Sequence, residues 1–259
     1  MTPTSYQGET IGRGGSFTTL RSMEQALLAW YAAHRRALPW RATRDPYAIL
    51  VSEVMAQQTQ VDRVVPRWKR WLERWPSVEA LAAAAPADVI REWQGLGYNR
   101  RALALHRAAV QIAAYGWPRD LTALPGVGRY TADAVGCFAF GRDVLPVDVN
   151  VRRIQERTGA EFTAASAQAL MDLGATVCLA RIPRCEVCPL AEACPSRGRR
   201  FEPLRKQTPF EGSFRQRRAQ LLRLVAAEPQ PWELDPDAAE SLAADGLVVV
   251  VDRRVTLPS

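Results

Sequence analysis

Apolar residues recur with helical spacing along most of the chain up to about residue 200. The first helix of this pattern is expected to start at Ser22, because Ser22 and Gln25 have the spacing of a capping box. Alternating apolar and polar positions, which are typical of strands, are lacking before residue 200. The sequence therefore predicts an all-α fold here, with helices over about 22–36, 46–58, 61–75, 86–93, 100–114, within 124–140, 149–158 and 166–177.

The two ends of the chain break this pattern. Residues 1–20 are rich in Gly, Ser and Thr, and we expect them to form a flexible arm. The basic, proline-containing segment 201–212 is typical of a linker. After it, the pattern suggests a small, separate winged-helix-like module, 213–259, made of two helices over 214–227 and 235–244 and a hairpin over 247–257.

The charge of the chain favours a polyanionic partner. Its 34 Lys and Arg against 27 Asp and Glu give a net charge of +7 at pH 7, which attracts nucleic acid non-specifically. Residues 1–20 hold no apolar segment of the kind found in signal peptides. The sequence also lacks an apolar run of the roughly 20 residues needed to cross a bilayer. We therefore expect a cytoplasmic protein that binds nucleic acid and no membrane.

Four of the five cysteines lie close together near residue 190. Clustered cysteines in a cytoplasmic protein are typical of metal ligands rather than of disulfides. Structural zinc sites commonly use two separated CxxC pairs, whereas this single compact loop fits a [4Fe-4S] cluster better. Cys137 stands apart in an apolar segment and is expected to be a core residue. The predicted cluster ligands are Cys178, Cys185, Cys188 and Cys194.

Two acidic residues occur in unlike surroundings. Glu53 lies in the apolar stretch 48–56, where an inward-facing carboxyl group would have a raised pKa. Asp148 precedes a predicted helix, and its ordinary role would be that of an N-cap. Cleavage of a glycosidic bond needs two such carboxyl groups, one as proton donor and one to stabilise the sugar cation. The sequence thus makes Glu53 and Asp148 candidate catalytic residues.

Two glycine turns and one polar segment could contact a nucleic acid. The turn at 124–128 would expose N–H groups that bind phosphate at a helix start, although an ordinary helix–helix turn has the same pattern. The polar segment 57–60 could probe base edges or simply end a helix. Tyr98, after the turn at 95–97, could stack in a duplex or lie in the core. The candidate DNA-contacting residues are Gln57, Gln58, Thr59, Leu96, Gly97, Tyr98, Gly126, Val127, Gly128 and Arg129.

Together these motifs resemble those of the adenine DNA glycosylase family, which belongs to the helix-hairpin-helix DNA glycosylase superfamily. The module 213–259 is too short for the Nudix-like domain that most members carry, so the chain resembles a short form. The segments that carry the resemblance lie within about residues 24–196, in the family's order: 38–41 (LPWR), 45–47 (DPY), 52–55 (SEVM), 57–60 (QQTQ), 95–98 (GLGY), 124–128 (LPGVG), 171–174 (MDLG) and the four cysteines.

The resemblance implies a two-lobed helical fold. One lobe, formed by 21–45 and 145–200, would carry the cluster, and a six-helix lobe, 46–144, would carry the helix-hairpin-helix motif. Double-stranded DNA with a mispaired or damaged base would bind between them, with the target base flipped out of the duplex. We also expect a monomer, and the Ala- and Arg-rich composition suggests a bacterial source.

The resemblance also assigns roles by matching positions. Glu53 would protonate the adenine and Asp148 would stabilise or trap the sugar cation, with Tyr130 and Asn150 in support. Bifunctional relatives such as endonuclease III carry a lysine at the position of Tyr130, so a monofunctional hydrolase is expected. Other matched positions would line the base pocket (Arg36, Leu38, Trp40, Val61 and Gln168) or let the cluster loop contact DNA (Arg181 and Arg184).

The activity that the resemblance implies is hydrolytic removal of adenine mispaired with 8-oxoguanine or guanine, as in base excision repair. Related mismatch glycosylases with tyrosine at the same position remove thymine or uracil opposite guanine, so those bases are an alternative substrate class. A DNA-structure binder without catalysis is a second alternative. The presence of both Glu53 and Asp148 weighs against it.

Overall fold

The computed structural model describes residues 17–202 and 209–259. Within these ranges the chain forms the following α-helices and short β-strands, given in chain order. They are α1 (Phe17–His34), α2 (Pro46–Ala56), α3 (Val61–Arg74), α4 (Val78–Ala82), α5 (Pro86–Trp93), α6 (Arg100–Tyr115), α7 (Arg129–Phe138), α8 (Val149–Thr158), α9 (Ala167–Thr176), α10 (Phe214–Ala227), β1 (Gln230–Pro231), α11 (Pro236–Ala244), β2 (Val249–Val251) and β3 (Arg254–Thr256).

The all-α prediction for the chain up to residue 200 is confirmed, with two local differences. Helix α1 starts at Phe17 rather than at Ser22, so the predicted arm is helical from Phe17 onward, and residues 1–16 lie outside the described residues. The sequence pattern does not predict the short helix α4. The hydroxyl of Ser77 caps α4 by accepting a hydrogen bond from the amide of Ala80 across 3.3 Å.

Helices α8 and α10 have the predicted bounds because their ends carry strong local signals. The carboxylate of Asp148 caps α8 by accepting from the amide of Val151 across 2.7 Å. Gly159 ends α8 with a φ of +68°, a left-handed conformation that favours glycine. The hydroxyl of Ser213 caps α10 by accepting from the amide of Gln216 across 3.3 Å.

The described residues fall into two units, each with its own hydrophobic core. The first unit consists of α1 and the part of the chain that begins at Leu145. This part contains α8, α9 and the cysteine loop, residues 178–194. The second unit begins at Ala37 and contains α2 to α7 and the C-terminal elements. The first boundary therefore lies between Arg36 and Ala37 instead of at the predicted 45–46.

In the first unit, α8 packs against α9 and also holds the cysteine loop. Ile154 of α8 and Leu170 of α9 are fully buried in the core. Arg157, near the end of α8, is only 7% exposed. Its guanidinium group donates hydrogen bonds to the carbonyl groups of Leu179 across 2.7 Å and Ala180 across 2.6 Å. The start of the cysteine loop is therefore fixed to the helix that Asp148 caps.

In the second unit, α2 is the central helix. Every residue from Tyr47 to Met55 is buried. Around this helix, Trp71 packs edge-on against Trp75 and Trp93, with ring centroids 4.7 and 5.5 Å apart, an arrangement that aromatic quadrupoles favour. Glu53 is therefore carried by the most enclosed helix of this unit.

The C-terminal segment packs against α5 and α6 instead of forming the separate module that the sequence predicts. Helices α10 and α11 and an antiparallel sheet of order β1-β3-β2 enclose one core. That core includes Ile90 of α5 and Leu103 of α6. The guanidinium group of Arg91 also donates to the carbonyl of Ala226 across 3.1 Å. The C-terminal segment therefore supports α5 and α6 in the second unit by sharing a core with them.

The predicted hairpin is present in this segment, where β2 pairs with β3. Its turn residues Asp252 and Arg253 have φ of +47° and +60°, as a tight two-residue hairpin turn requires. The structure adds β1, which pairs with β3 and makes a three-stranded sheet. Of the predicted linker 201–212, residues 203–208 lie outside the described residues.

Candidate active site and cysteine loop

Glu53 and Tyr130, two of the predicted catalytic residues, are in direct contact. Glu53 is 9% exposed on α2. Tyr130, in the first turn of α7, donates a hydrogen bond from its hydroxyl group to Oε2 of Glu53 across 2.9 Å. The packing of α2 against α7 brings together these residues, which are 77 positions apart in the sequence. The phenol therefore orients a buried carboxyl group.

Asp148 acts both as an N-cap and as the partner of Asn150. Its Oδ1 accepts hydrogen bonds from the backbone amides of Asn150 across 2.8 Å and Val151 across 2.7 Å. Its Oδ2 accepts from the side-chain amide of Asn150 across 2.7 Å. Both oxygens are thus held in one orientation by the first turn of α8.

Arg153, which the sequence analysis does not identify, holds Asn150 in place. Its Nη2 donates to Oδ1 of Asn150 and to the carbonyl of Gly174, each across 2.8 Å. Its Nε donates to the carbonyl of Cys178 across 2.9 Å. The available signal was spacing, because residues three apart share one face of a helix. A chain of contacts therefore runs from the cysteine loop through Arg153 and Asn150 to Asp148.

Helix α9 approaches α8 very closely at Gly174. A Cβ atom added to Gly174 would lie 2.6 Å from Cβ of Asn150 and 3.4 Å from its Cα. Close-packed interiors do not tolerate such overlap without a shift of the neighbouring atoms. Glycine at this position therefore permits the observed position of Asn150.

Two predicted base-pocket residues, Arg36 and Gln168, lie in the first unit. Nε of Arg36 donates to Oδ1 of Asp172 across 2.6 Å, and its backbone amide donates to Oδ2 across 3.0 Å. Asp172 is fully buried in α9, so its carboxylate ties the chain after α1 to α9. The hydroxyl of Tyr31 donates to Oε1 of Gln168 across 2.7 Å. Asp172 lies in the segment 171–174 that carries the resemblance, but no role was predicted for it or for Tyr31, although an acid inside the apolar stretch of α9 was a usable signal.

The other three predicted base-pocket residues lie in the second unit. Leu38, Trp40 and Val61 are all half-buried there. Trp40 packs edge-on against Trp68, with ring centroids 5.9 Å apart. That all five residues line one pocket stays a prediction.

The segments 57–59 and 96–98 form two turns that contact each other. The hydroxyl of Thr59 donates to the carbonyl of Leu96 across 3.2 Å. Gln58 and Tyr98 are exposed and have φ of +54° and +47°, a conformation that is uncommon for residues other than glycine. Tyr98 is 49% exposed, so it is not the core tyrosine of the alternative interpretation. Leu96, predicted to contact DNA, is instead a core residue with 3% exposure.

Arg101, near the start of α6, is a further residue that the sequence analysis misses. Its guanidinium group donates to the carbonyl groups of Val54 and Gln57, each across 2.6 Å, and of Gly97 across 3.0 Å. Burial lowers its pKa to about 10, which still leaves the group charged at neutral pH. One arginine thus bonds to both turns.

Only part of the glycine turn before α7 is accessible. Val127, predicted to contact DNA, is 6% exposed, and its N–H group donates within the turn to Leu124 across 3.1 Å. Gly126 is exposed, although one side of it faces α6, where an added Cβ would lie 2.5 Å from Cβ of Ala104. Gly128 and Arg129 are exposed at the start of α7. Exposed backbone at this helix start suits an anion.

The four clustered cysteines line one cavity in the first unit. Burial, followed by the neighbouring thiols of Cys178, Cys194 and Cys185, raises the pKa of Cys188 to about 11. A thiol with this pKa becomes a thiolate at neutral pH when a cation stabilises it. Among the described residues, no three His, Cys, Asp or Glu side chains converge on one point as ligands of a single ion. The four thiols nevertheless line one cavity, and four thiols are the donor set that an iron–sulfur cluster takes.

The remaining residues predicted near the cysteine loop are placed as follows. Cys137 is half-buried in α7 of the other unit, apart from the four cysteines. Arg181 and Arg184 are both exposed, and Arg184 also lines the cysteine cavity. Both arginines are therefore accessible to a ligand outside the loop.

None of the helices in the described ranges combines the length and the hydropathy that a membrane crossing requires.

Comparison with known proteins agrees with the predicted fold. The matching family model is described as the HhH-GPD superfamily base excision DNA repair protein and covers residues 51–176. A solved thermostable thymine-DNA glycosylase has a TM-score of 0.63 and 26% identity, covering 69% of this chain and 96% of that one. An endonuclease III–DNA covalent intermediate has a TM-score of 0.61 and 22% identity, covering 70% and 97%. The fold and the family match thus place the chain in the helix-hairpin-helix (HhH-GPD) class.

Sequence relatives narrow this class. The adenine DNA glycosylase of Mycolicibacterium smegmatis is 44% identical over 86% of this chain and 91% of its own length. That of Mycobacterium tuberculosis is 41% identical over 90% and 92%. The human adenine DNA glycosylase is 37% identical over 67% of this chain but only 39% of its own length. The chain therefore belongs to the adenine DNA glycosylase family of the HhH-GPD superfamily.

Proposed function

We propose that this protein is a monofunctional DNA glycosylase that removes adenine mispaired with 8-oxoguanine or guanine. The observation that carries the proposal is the hydrogen bond from Tyr130 to the buried carboxyl group of Glu53. A phenol at this position cannot form the Schiff base that a lysine forms, so the site favours hydrolysis without strand cleavage. The mycobacterial relatives, which are named adenine DNA glycosylases, support adenine as the substrate.

In the proposed reaction, the carboxyl group of Glu53 gives its proton to the flipped adenine as the bond to C1′ of the sugar breaks. The bonding electron pair leaves with the base. The carboxylate of Asp148 stabilises or traps the sugar cation. Glu53, now a carboxylate, takes a proton from water while the water oxygen bonds to C1′. The products are free adenine and an abasic site, and Glu53 is again protonated.

The contacts of Asp148 support its role in this reaction. Hydrogen bonds from the first turn of α8 and from Asn150 fix both carboxylate oxygens, so little reorganisation is needed when positive charge develops on the sugar. Tyr130 orients Glu53 in the same way. The two carboxyl groups have different surroundings, as separate acid and charge-stabilising roles require.

Double-stranded DNA is the proposed partner. The net charge of +7 attracts the phosphate backbone, and the exposed Gln58 and Tyr98 are suited to enter a duplex beside the opposite base. Endonuclease III, which shares the fold, has been solved in complex with DNA. We propose that the protein acts as a monomer on chromosomal DNA in the cytoplasm of a bacterium, in keeping with its mycobacterial relatives.

Removal of thymine or uracil opposite guanine is the second candidate function. Its basis is the similarity to the thermostable thymine-DNA glycosylase. The decisive experiment incubates the purified protein with duplexes that contain A:8-oxoguanine, A:G, T:G, U:G or only normal pairs, and then cleaves abasic sites with alkali. We expect cleavage at adenine in the first two duplexes, and only after alkali. Cleavage at T:G or U:G alone would select the second function, and cleavage of none would exclude both.

The approach of α9 to α8 gives a first prediction. The substitution Gly174→Ala should displace Asn150, because the new Cβ would overlap its side chain. We expect the single-turnover rate of base removal to fall about 10-fold to 100-fold, since a displacement of about 1 Å can have this effect.

The matched control for Gly174→Ala is Gly136→Ala, another substitution of a helical glycine. There the three atoms nearest to the added Cβ all belong to the side chain of Arg142, the closest at 3.1 Å, and that flexible side chain can move. The Gly136→Ala protein should stay within about three-fold of the natural rate. Equal rates for both variants would show that the position of Asn150 does not matter.

We further propose that Cys178, Cys185, Cys188 and Cys194 hold a [4Fe-4S] cluster. All four thiols line one cavity, and a single compact loop carries them, as suits a cubic iron–sulfur cluster. When bound, the cluster would supply iron–thiolate bonds that brace the cysteine loop. Arg153 and Arg157 of α8 already hold the carbonyl groups of this loop.

The cluster proposal predicts a brown protein with broad visible absorption and about four iron atoms per chain. Substitution of Cys188 by serine should remove most of this absorption, whereas Cys137→Ser, in the other unit, should leave it unchanged. Absorption spectra and iron and zinc analysis of the three proteins provide the measurement. A colourless natural protein with one zinc per chain would contradict the proposal.

A further inference from the structure

We infer that Arg101 is a specificity-determining positioning residue, which clasps the turns 57–59 and 96–98 together so that Gln58 and Tyr98 enter a mispaired duplex at a fixed separation. This inference rests on the proposed function, because it concerns how the same site recognises DNA. Arg101 itself is half-buried and carried by the first turn of α6.

The first part of the clasp is at the end of α2. Nη1 of Arg101 donates to the carbonyl groups of Val54 across 2.6 Å, Met55 across 3.3 Å and Gln57 across 2.6 Å. These carbonyl groups belong to the last turn of a helix, where intrahelical donors are lacking and a positive charge is favourable. Arg101 thus binds the carbonyl groups at the C-terminal end of α2 and fixes the backbone that leads directly into Gln58.

The second part of the clasp is the turn between α5 and α6. Nη2 of Arg101 donates to the carbonyl groups of Leu96 across 3.4 Å and Gly97 across 3.0 Å, and Nε donates to that of Tyr98 across 3.4 Å. Nη2 also donates to the hydroxyl of Thr59 across 3.3 Å. The planar guanidinium group therefore uses its several donors on two segments that are about 40 positions apart in the sequence.

The backbone conformation explains why these turns need such a partner. Gln58 and Tyr98 both have positive φ, and residues other than glycine persist in that conformation only when their surroundings impose it. In both turns the side chain with positive φ is exposed. The contacts of Arg101 supply the constraint at both positions, and its guanidinium group also lies 5.5 Å from the ring centroid of Tyr98.

The test compares Arg101→Met and Arg101→Lys with the natural chain. Dissociation constants are measured for an A:8-oxoguanine duplex and for a fully paired duplex, and their ratio gives the discrimination. We expect both variants to lose at least about 10-fold in this ratio, because a misplaced contact of about 1 Å has effects of this size. Lysine should not restore the ratio, since a point charge on a flexible stem cannot span both turns.

Two control variants separate positioning from charge and from stability. Arg100→Met removes the same charge from the neighbouring residue, whose side chain is 75% exposed. Leu81→Ala opens the core of the same unit at a fully buried residue of α4, and it should lower Tm without affecting the turns. Both controls should keep the natural ratio. An equal loss of the discrimination ratio in Arg100→Met or in Leu81→Ala would overturn the inference. A natural ratio in Arg101→Lys would overturn it as well.

Hydrogen exchange gives a readout that does not depend on activity. The amides of segments 56–60 and 95–99 should exchange faster in both Arg101 variants than in the natural chain and the two controls. Unchanged exchange in these segments would overturn the inference even if DNA binding were weaker. If the natural protein removes no base, the proposed function fails, whereas exchange and duplex binding still test the clasp.

Discussion

Replacement of Asp148 by asparagine is expected to lower the rate of base removal at least about 10³-fold while leaving the fold and duplex binding intact. Asparagine caps helices about as well as aspartate, so α8 should still begin at residue 149. The variant lacks the negative charge that would stabilise the sugar cation, and it can no longer accept hydrogen bonds through two oxygens. Single-turnover kinetics with saturating enzyme measure the rate, and gel shift measures binding.

A matched control for Asp148→Asn is Asp45→Asn. Asp45 is also an N-cap aspartate, and its carboxylate accepts from the amide of Tyr47 at the start of α2 across 3.0 Å. That variant should keep the natural rate, because the substitution replaces one good N-cap residue by another and removes no charge with a proposed role in the reaction. A rate for Asp148→Asn within about 10-fold of the natural enzyme would rule out the role proposed for its charge.

The substitution Glu53→Gln is expected to lower the rate of base removal about 10²-fold to 10⁴-fold, the usual contribution of a general acid. Glutamine has the same shape and can still accept the hydrogen bond from Tyr130. It cannot, however, give a proton to the leaving base. Single-turnover rates on the A:8-oxoguanine duplex, with melting temperature as the measure of folding, provide the data.

Glu92→Gln is the control for loss of a buried acid. Glu92 is 4% exposed in the same unit and pairs with Arg70 across 2.7 Å. Its substitution should lower the melting temperature, because it leaves a charged partner without its counter-ion. The rate for each folded molecule should stay close to natural. A Glu92 variant as slow as the Glu53 variant would mean that stability, not proton transfer, sets the effect.

The sequence predicts those parts of the fold whose signals are local. Asp148 and Ser213 mark the starts of α8 and α10 because a capping side chain acts on amides two or three residues away. The same rule fails at Ser22, since its capping-box spacing lies inside a longer helix that starts at Phe17. Helix α4 has only five residues in an alanine-rich stretch, too short a span to show a helical period.

Contacts between distant segments limit what the sequence can predict of the site. Their local surroundings in the sequence identify Glu53 and Asp148 as candidates, but the contact of Glu53 with Tyr130 depends on the packing of α2 against α7. Arg101 has no motif of its own, because its acceptors are backbone carbonyl groups that any residue provides. Leu96 was misassigned for a related reason. Its turn is accessible, yet its side chain points into the core.

The shared core of the C-terminal segment has a practical consequence for dissecting the protein. In a shortened chain ending at Glu202, the side chains of Ile90 and Leu103 would be exposed to water. This exposure would cost about 1.5–3 kcal/mol of folding free energy for each side chain. Helices α5 and α6 flank the turn that presents Tyr98, so the loss would loosen the helices on either side of that residue. A soluble shortened enzyme therefore needs polar side chains at positions 90 and 103. Its selectivity for the base opposite the adenine would have to be measured again.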